Sequence, residues 1–295
     1  MSPAKLKKGE TEIRVVLSTK SGFEKAVNRQ RTLDQYSQLL ETHIGQHMLD
    51  RADPKELMAH LKNTNLAVGS QNILFYAMRK YYRLKGNTEV IKYLRDTLER
   101  PQVEVNRNMT FLSPEQVKTL FHHVKDVSRL RLMVALMLHT GIRVSIITQL
   151  RVADIDESGR LFIRKVYIGN KAMMNFYTEY LPKNVMESLQ EHIKGKKVED
   201  YIFDFGLATG FKEQHAVKNI EVNVTKLGMK AGIPNLHPHI LRHTFATAHY
   251  QAYKDLIRTR DALGQKSTSS TEIYARYDVK WQKQAKAFLR GDFYG

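Results

Sequence analysis

The stretch of sequence that decides the fold lies in the C-terminal part of the chain and reads HPHILRHTFAT, from His237 to Thr247. His239 and Arg242 are three residues apart, so a helix places both side chains on one face. His239 and His243 are four residues apart, a spacing that can ligate zinc. However, no general-base glutamate lies between them and no third ligand is evident. Taken alone, the stretch is equally typical of polar groups on a helix surface.

Two further strings flank this stretch in the chain. TGIRVS, residues 140–145, ends an apolar helix, and LGQ, residues 263–265, is followed nine residues after its glutamine by Tyr274. Each has an ordinary explanation, because Arg143 suits a helix C-terminus and Tyr274 is one of 14 tyrosines. GQKS, residues 264–267, fails as a phosphate-binding loop because Gln265 separates the glycine from the lysine. Any function must therefore come from the strings in combination.

The charge of the chain indicates a polyanionic partner. Lysine and arginine total 47 against 30 acidic residues, which gives a net charge of +17 over 295 residues. The surplus is distributed: residues 1–110 hold 19 basic and 12 acidic residues, and residues 111–295 hold 28 and 18. Because basic side chains release the counterions condensed on phosphates, this balance favours nucleic acid over a merely solvated surface.

Composition excludes several classes of protein. The chain contains no cysteine, which rules out disulfide scaffolds, thiol catalysis and thiolate-ligated metal sites. No apolar run approaches the ~18 residues that a membrane span needs, and the basic N-terminus lacks the apolar core of a signal peptide. We expect a cytoplasmic, DNA-associated protein with no membrane contact.

The pattern along the chain predicts two domains joined by a linker. We predict a basic arm over residues 1–20, a bundle of four helices within 21–100, a linker over 101–112 and a second domain over 113–295. In the second domain Ser113-Pro114 is a helix start with Gln116 placed to close a capping box. Between Asp154 and Pro182 the period changes to two, which predicts two strands around a Gly169-Asn170 turn. The predicted fold class is mainly α with a small antiparallel β-sheet.

Together the three strings resemble those of the tyrosine recombinases, the family of phage-type integrases and Xer-type resolvases. The resemblance covers residues 113–295 in order and spacing, and more loosely the N-terminal bundle, which it implies is a core-binding, DNA-contacting domain. It places the two catalytic arginines at Arg143 and Arg242, the histidine at His239 and the nucleophile at Tyr274.

The chain departs from the family pattern at two positions and leaves a third open. Ile146 stands where an acidic residue usually supports the first arginine. Gln265 stands where histidine or tryptophan is usual, and its amide can still donate a hydrogen bond to a phosphate. The family's catalytic lysine lies on a β-hairpin, which implies Lys171 at the turn, with Lys165 on the preceding strand as the alternative.

The resemblance implies strand exchange on double-stranded DNA without metal, ATP or other cofactor. Two guanidiniums clamp the charge that develops on the phosphate. Tyr274 attacks phosphorus to give a 3′-phosphotyrosyl link, with His239 as the nearest candidate base and Lys171 as the acid for the departing 5′-oxygen. It also implies homo-oligomers on DNA, a dimer on a site and a tetramer in the synapse.

Three alternatives stay open at this stage. A type IB topoisomerase shares much of this site but relaxes DNA as a monomer. A DNA-binding accessory protein with a degenerate site is the alternative from a different class. The apolar tail over residues 278–295, which contains Trp281 and Phe288, can pack on its own domain or dock on a neighbouring protomer.

Overall fold

The structure, a computed structural model, divides the chain into two compact units, residues 1–108 and 109–295. The residues it describes are 13, 26–96, 110–124, 129–156, 158–163, 167–168, 171–172, 176–207, 210, 213–265, 267–268, 271–275, 281 and 283–293. The predicted basic arm therefore lies outside the described residues except for Ile13, which is buried in the core of the first unit.

The first unit is a bundle of helices around a leucine- and tyrosine-rich core. Asp53 starts one helix as predicted: its Oδ1 accepts hydrogen bonds from the backbone N–H groups of Lys55 at 2.9 Å and Glu56 at 3.3 Å. A short helix that the sequence pattern did not predict precedes it, because six residues are too few to show a helical period. The described helices are α1 (Ala26–His43), α2 (Gln46–Arg51), α3 (Pro54–Lys62), α4 (Val68–Lys85) and α5 (Thr88–Asp96).

The second unit is built on two buried helices that pack against each other. These are α7, buried from Leu132 to Thr140, and α11, which begins at Pro238. The predicted capping box is present, with Ser113 and Gln116 exchanging side chain to backbone hydrogen bonds. The helices are α6 (Pro114–His123), α7 (Arg129–Thr140), α8 (Val144–Ile147), α9 (Lys183–Ile193), α10 (Glu213–Lys230), α11 (Pro238–Tyr253), α12 (Leu256–Ala262), α13 (Glu272–Ala275) and α14 (Ala285–Leu289). None of the described helices is long and apolar enough to cross a bilayer.

The strands of the second unit form nested antiparallel pairs. They are β1 (Phe162–Ile163), β2 (Tyr167–Ile168), β3 (Lys171–Ala172) and β4 (Phe176–Tyr177). β1 pairs with β4 and β2 pairs with β3. The predicted Gly169-Asn170 turn lies outside the described residues, between β2 and β3. The second predicted strand, which extended to Leu181, is shorter in the structure and ends at Tyr177.

The C-terminal tail packs on its own unit. Trp281 and Phe288 are fully buried, and the Trp281 Nε1 donates a hydrogen bond to the Leu112 carbonyl at 2.9 Å. The Leu112 N–H in turn donates to Thr244 Oγ1 at 2.9 Å. Leu112 therefore belongs to the core of the second unit. The predicted linker, which extended to residue 112, is too long at this end because these buried hydrogen bonds fix the chain before Ser113.

Gly264 lets strand β4 pack directly against the loop that follows α12. Its φ is +61°, and a Cβ built there lies 2.3 Å from Cε1 of Phe176. A side chain at this position is therefore opposed by backbone strain and by an aromatic ring at the same time.

We expect Gly264→Ala to destabilise the protein by about 2–4 kcal/mol, the sum of overpacking and left-handed backbone strain. The matched control is Gly195→Ala, since Gly195 also has a positive φ of +81° but has nothing within 4 Å of a built Cβ. That variant should lose only about 1 kcal/mol. Urea unfolding of the two variants measures the difference, and equal losses would show that Phe176 yields at no cost.

Candidate active site

The Arg242 guanidinium joins the three strings identified in the sequence. Arg242 lies on α11 and is only 4% exposed. Its Nη1 donates a hydrogen bond to the Gly141 carbonyl in the first string, and its Nη2 donates to the Leu263 carbonyl in the third at 3.1 Å. Burial, and then the nearby positive charge of Arg143, lower the pKa of Arg242 to about 9. At neutral pH the side chain is therefore a buried cation held by backbone dipoles.

The first string reaches this centre because Gly141 has no side chain. Its φ is +63°, and a Cβ built there lies 2.3 Å from Cδ1 of Phe245 and 2.8 Å from Cδ2 of Leu263. This close approach ends α7 and turns the chain into α8, of which Arg143 is the N-cap residue. Desolvation lowers the pKa of Arg143, and the neighbouring Tyr274 partly opposes that shift.

Tyr274 lies inside the same site and is 2% exposed. Its hydroxyl is 2.9 Å from Nδ1 of His243. Burial raises the pKa of Tyr274, with Arg242 and Arg143 opposing the shift. Burial and the neighbouring positive groups lower the pKa of His243 to about 4. A neutral imidazole and a neutral phenol therefore share a hydrogen bond, whose direction is set by the tautomer of His243.

The histidine that contacts the nucleophile candidate is thus His243, whereas the sequence predicts His239 as the nearest base. His239 is solvent-exposed, and partial desolvation together with His237 and the two arginines lowers its pKa. The signal for His243 was present in the sequence, because a residue four after His239 lies one turn further along the same helix face. The same spacing is also that of a zinc-binding histidine pair. The described residues contain no group of three or more His, Cys, Asp or Glu that could hold a metal ion.

Gln265 is oriented by its neighbour Thr271. The Thr271 hydroxyl donates to Gln265 Oε1 at 2.8 Å. Since the amide oxygen is engaged, the amide NH₂ is the end that can donate to an anion. The phosphate contact of Gln265 stays a prediction.

Two further positions from the sequence are the lysine and the residue three after the first arginine. Lys171 is the first residue of β3, opposite Ile168, rather than part of the turn. Its alternative, Lys165, lies outside the described residues. Ile146 is 1% exposed in the core, so this position supplies no carboxylate to the site.

Comparison with known proteins places the chain in a family. A sequence model of the phage integrase family matches residues 110–280. The tyrosine recombinase XerA of Pyrococcus furiosus is 30% identical over 237 residues, which cover 79% of this chain and 78% of that protein. The chain belongs to the phage integrase family of tyrosine recombinases. The tyrosine recombinase XerH of Campylobacter jejuni is 27% identical over 177 residues, 57% of this chain and 48% of that protein.

Solved structures of this family have the same fold. The Tn1549 transposon integrase in complex with a circular intermediate DNA has a TM-score of 0.65 at 17% identity, covering 94% of this chain and 98% of that one. The lambda integrase tetramer bound to a Holliday junction has a TM-score of 0.61 at 15% identity, covering 89% and 74%. The predicted fold class and family resemblance are confirmed.

The hydrogen bond between His243 and Tyr274 can be measured by a double-mutant cycle. His243→Leu leaves a buried hydroxyl without this hydrogen-bond partner, so we expect a loss of about 1–3 kcal/mol in the free energy of unfolding. In a Tyr274→Phe background the same change should cost about 1 kcal/mol less. Tyr250→Phe, two turns along the same helix, is the control partner and should be additive with His243→Leu. Additivity in both cycles would mean that the hydrogen bond contributes nothing.

Proposed function

We propose that this chain is a site-specific DNA recombinase that cleaves and rejoins duplex DNA through a 3′-phosphotyrosyl intermediate. The observation that carries the proposal is the meeting of Arg143, Arg242 and Tyr274 in one site, although they come from strings up to 131 residues apart. The net charge of +17 suits a DNA partner. The names of the relatives and the DNA complexes of the structural neighbours point the same way, including assembly as homo-oligomers on DNA.

In this proposal the arginines bind the scissile phosphate. A guanidinium has five N–H donors, and the bonds from Arg242 to two carbonyls use two of them, so others can reach a phosphate oxygen. Arg143 adds a second fork, and the Gln265 amide adds a neutral donor. Fixed donors of this kind stabilise the charge that grows on the oxygens in the transition state.

The nucleophile must leave its resting contact before it can react. Tyr274 Oη forms a bond to phosphorus as the bond from phosphorus to the 5′-oxygen breaks. The phenolic proton passes to a base, and the 5′-oxygen takes a proton from Lys171. With a pKa of about 4, His243 is a weak base, so we assign the role of base to His239, as the resemblance implies. One phosphodiester replaces another, so the step needs no ATP.

The covalent step is tested first with a nicked duplex carrying the cognate site. We expect the wild-type protein to form a denaturation-resistant adduct, and Tyr274→Phe to form none while keeping DNA affinity within about two-fold, since one hydroxyl adds little to a phosphate-dominated interface. The matched control is Tyr250→Phe on α11, which should form the adduct normally. A wild-type protein that binds DNA without an adduct would instead be an accessory protein.

The leaving-group acid is tested with a 5′-bridging phosphorothiolate, whose sulfur departs without a proton. We expect Lys171→Ala to cleave normal DNA at least about 100-fold slower than wild type and to cleave the phosphorothiolate at nearly the wild-type rate. Lys165→Ala is the matched control, in which both substrates should behave alike. Selective rescue of Lys165→Ala would move the role to that residue.

A further inference from the structure

A partly buried ion-pair network lies outside the candidate active site, where the chain leaves strand β4. Glu179 Oε1 accepts hydrogen bonds from Nε2 of His249 at 3.1 Å and from Nε and Nη2 of Arg258 at 3.2 Å each. On the other side of the imidazole, His249 Nδ1 is 2.9 Å from Thr259 Oγ1. One carboxylate therefore contacts two helices, α11 through His249 and α12 through Arg258.

The imidazole of this network is fully buried and the carboxylate largely so, whereas the Arg258 side chain is 44% exposed. The His249 side chain is 0% exposed and that of Glu179 is 26% exposed. The hydrogen bond from His249, followed by that from Arg258, holds the pKa of Glu179 at about 2 against the effect of burial, so the carboxylate is ionised. Arg258 is held by stacking over Tyr253, with 3.5 Å from its Cζ to the ring centroid. Both partners of the carboxylate are thus fixed in place.

The three residues of this network lie close in the chain to residues with proposed catalytic roles. Glu179 follows Lys171 by eight residues, with β4 between them. His249 follows Arg242 by seven residues, two turns along α11. Arg258 is on α12, which ends just before Gln265. The contacts of Glu179 therefore fix the chain just after β4 against α11, the helix that carries Arg242, and against α12.

A second contact acts on the same strand. Phe176 of β4 packs on Gly264, next to Gln265. Just after β4, Thr178 forms two hydrogen bonds with Leu161, the residue before β1. The Thr178 N–H donates to the Leu161 carbonyl at 2.9 Å, and the Leu161 N–H donates to Thr178 Oγ1 at 3.0 Å. The contact of Phe176 with Gly264 limits how closely β4 can approach the loop after α12. The Glu179 hydrogen bonds are directional, so they fix the position of the chain along the two helices.

We propose that Glu179 is a positioning residue. It fixes the chain after β4 against α11 and α12, so that Lys171, eight residues earlier in the chain, is placed to protonate the leaving oxygen. This inference rests on the proposed function. It assigns Glu179 no contact with DNA. Its distinctive consequence is that loss of Glu179 impairs protonation of the leaving group more than binding or nucleophilic attack.

The test compares Glu179→Gln with wild type on normal and 5′-bridging phosphorothiolate DNA. We expect the adduct to form at least about 10-fold more slowly on normal DNA, a fraction of what a general acid contributes, and within about two-fold of wild type on the phosphorothiolate. Arg258→Gln removes a partly exposed partner and should show the same selectivity to a smaller degree. It also serves as the second variant if Glu179→Gln does not fold.

The control is Glu187→Gln, which makes the same chemical change in an exposed i, i+4 pair with Lys183. It should leave both rates unchanged. Equal slowing of both substrates by Glu179→Gln and Arg258→Gln, or no slowing, would overturn the inference and leave Glu179 a purely structural residue. Absence of any adduct from the wild-type protein would instead overturn the proposed function, so the two failures are distinguishable.

Discussion

The buried guanidinium of Arg242 is the interaction on which the second unit depends. An unpaired cation at 4% exposure is costly, and a backbone carbonyl buried without a donor adds its own penalty. The hydrogen bonds to Gly141 and Leu263 remove both penalties together. They are possible only because Gly141 allows Phe245 and Leu263 to approach its backbone. The packing of three distant strings and the burial of one charge are therefore the same constraint.

The same hydrogen bonds explain how Arg242 can both stabilise the fold and be ready to bind an anion. A side chain already fixed by two carbonyls has lost its rotamer freedom during folding, so little entropy remains to be lost when it binds an anion. The same burial that fixes Arg242 also encloses Tyr274 and raises its pKa. The structure thus keeps its nucleophile candidate protonated and bonded to His243, beside the two arginines.

Local signals in the sequence predicted local structure well. Asp53 and Ser113 mark helix starts because a capping side chain acts on backbone two or three residues away. The three strings predicted which residues meet, because the resemblance fixes positions in a known fold. The sequence did not predict the individual hydrogen bonds. His243 contacts Tyr274, 31 residues further along the chain, and Glu179 contacts His249, 70 residues further along. Such pairs have no period, so no window of sequence contains them. The membership of Leu112 in the core was missed for the same reason.

The concentration of positive groups has a consequence for proton balance when an anion binds. Burial comes first among the causes that lower the pKa values of His239 and His243, and the charges of Arg242 and neighbouring groups lower them further. A phosphate between the arginines brings the opposite charge to the same place, and its attraction raises both pKa values. By linkage, phosphate binding and proton uptake by these histidines favour each other. Of the two, His239 is the more accessible to solvent, so it can exchange its proton with water while His243 stays enclosed.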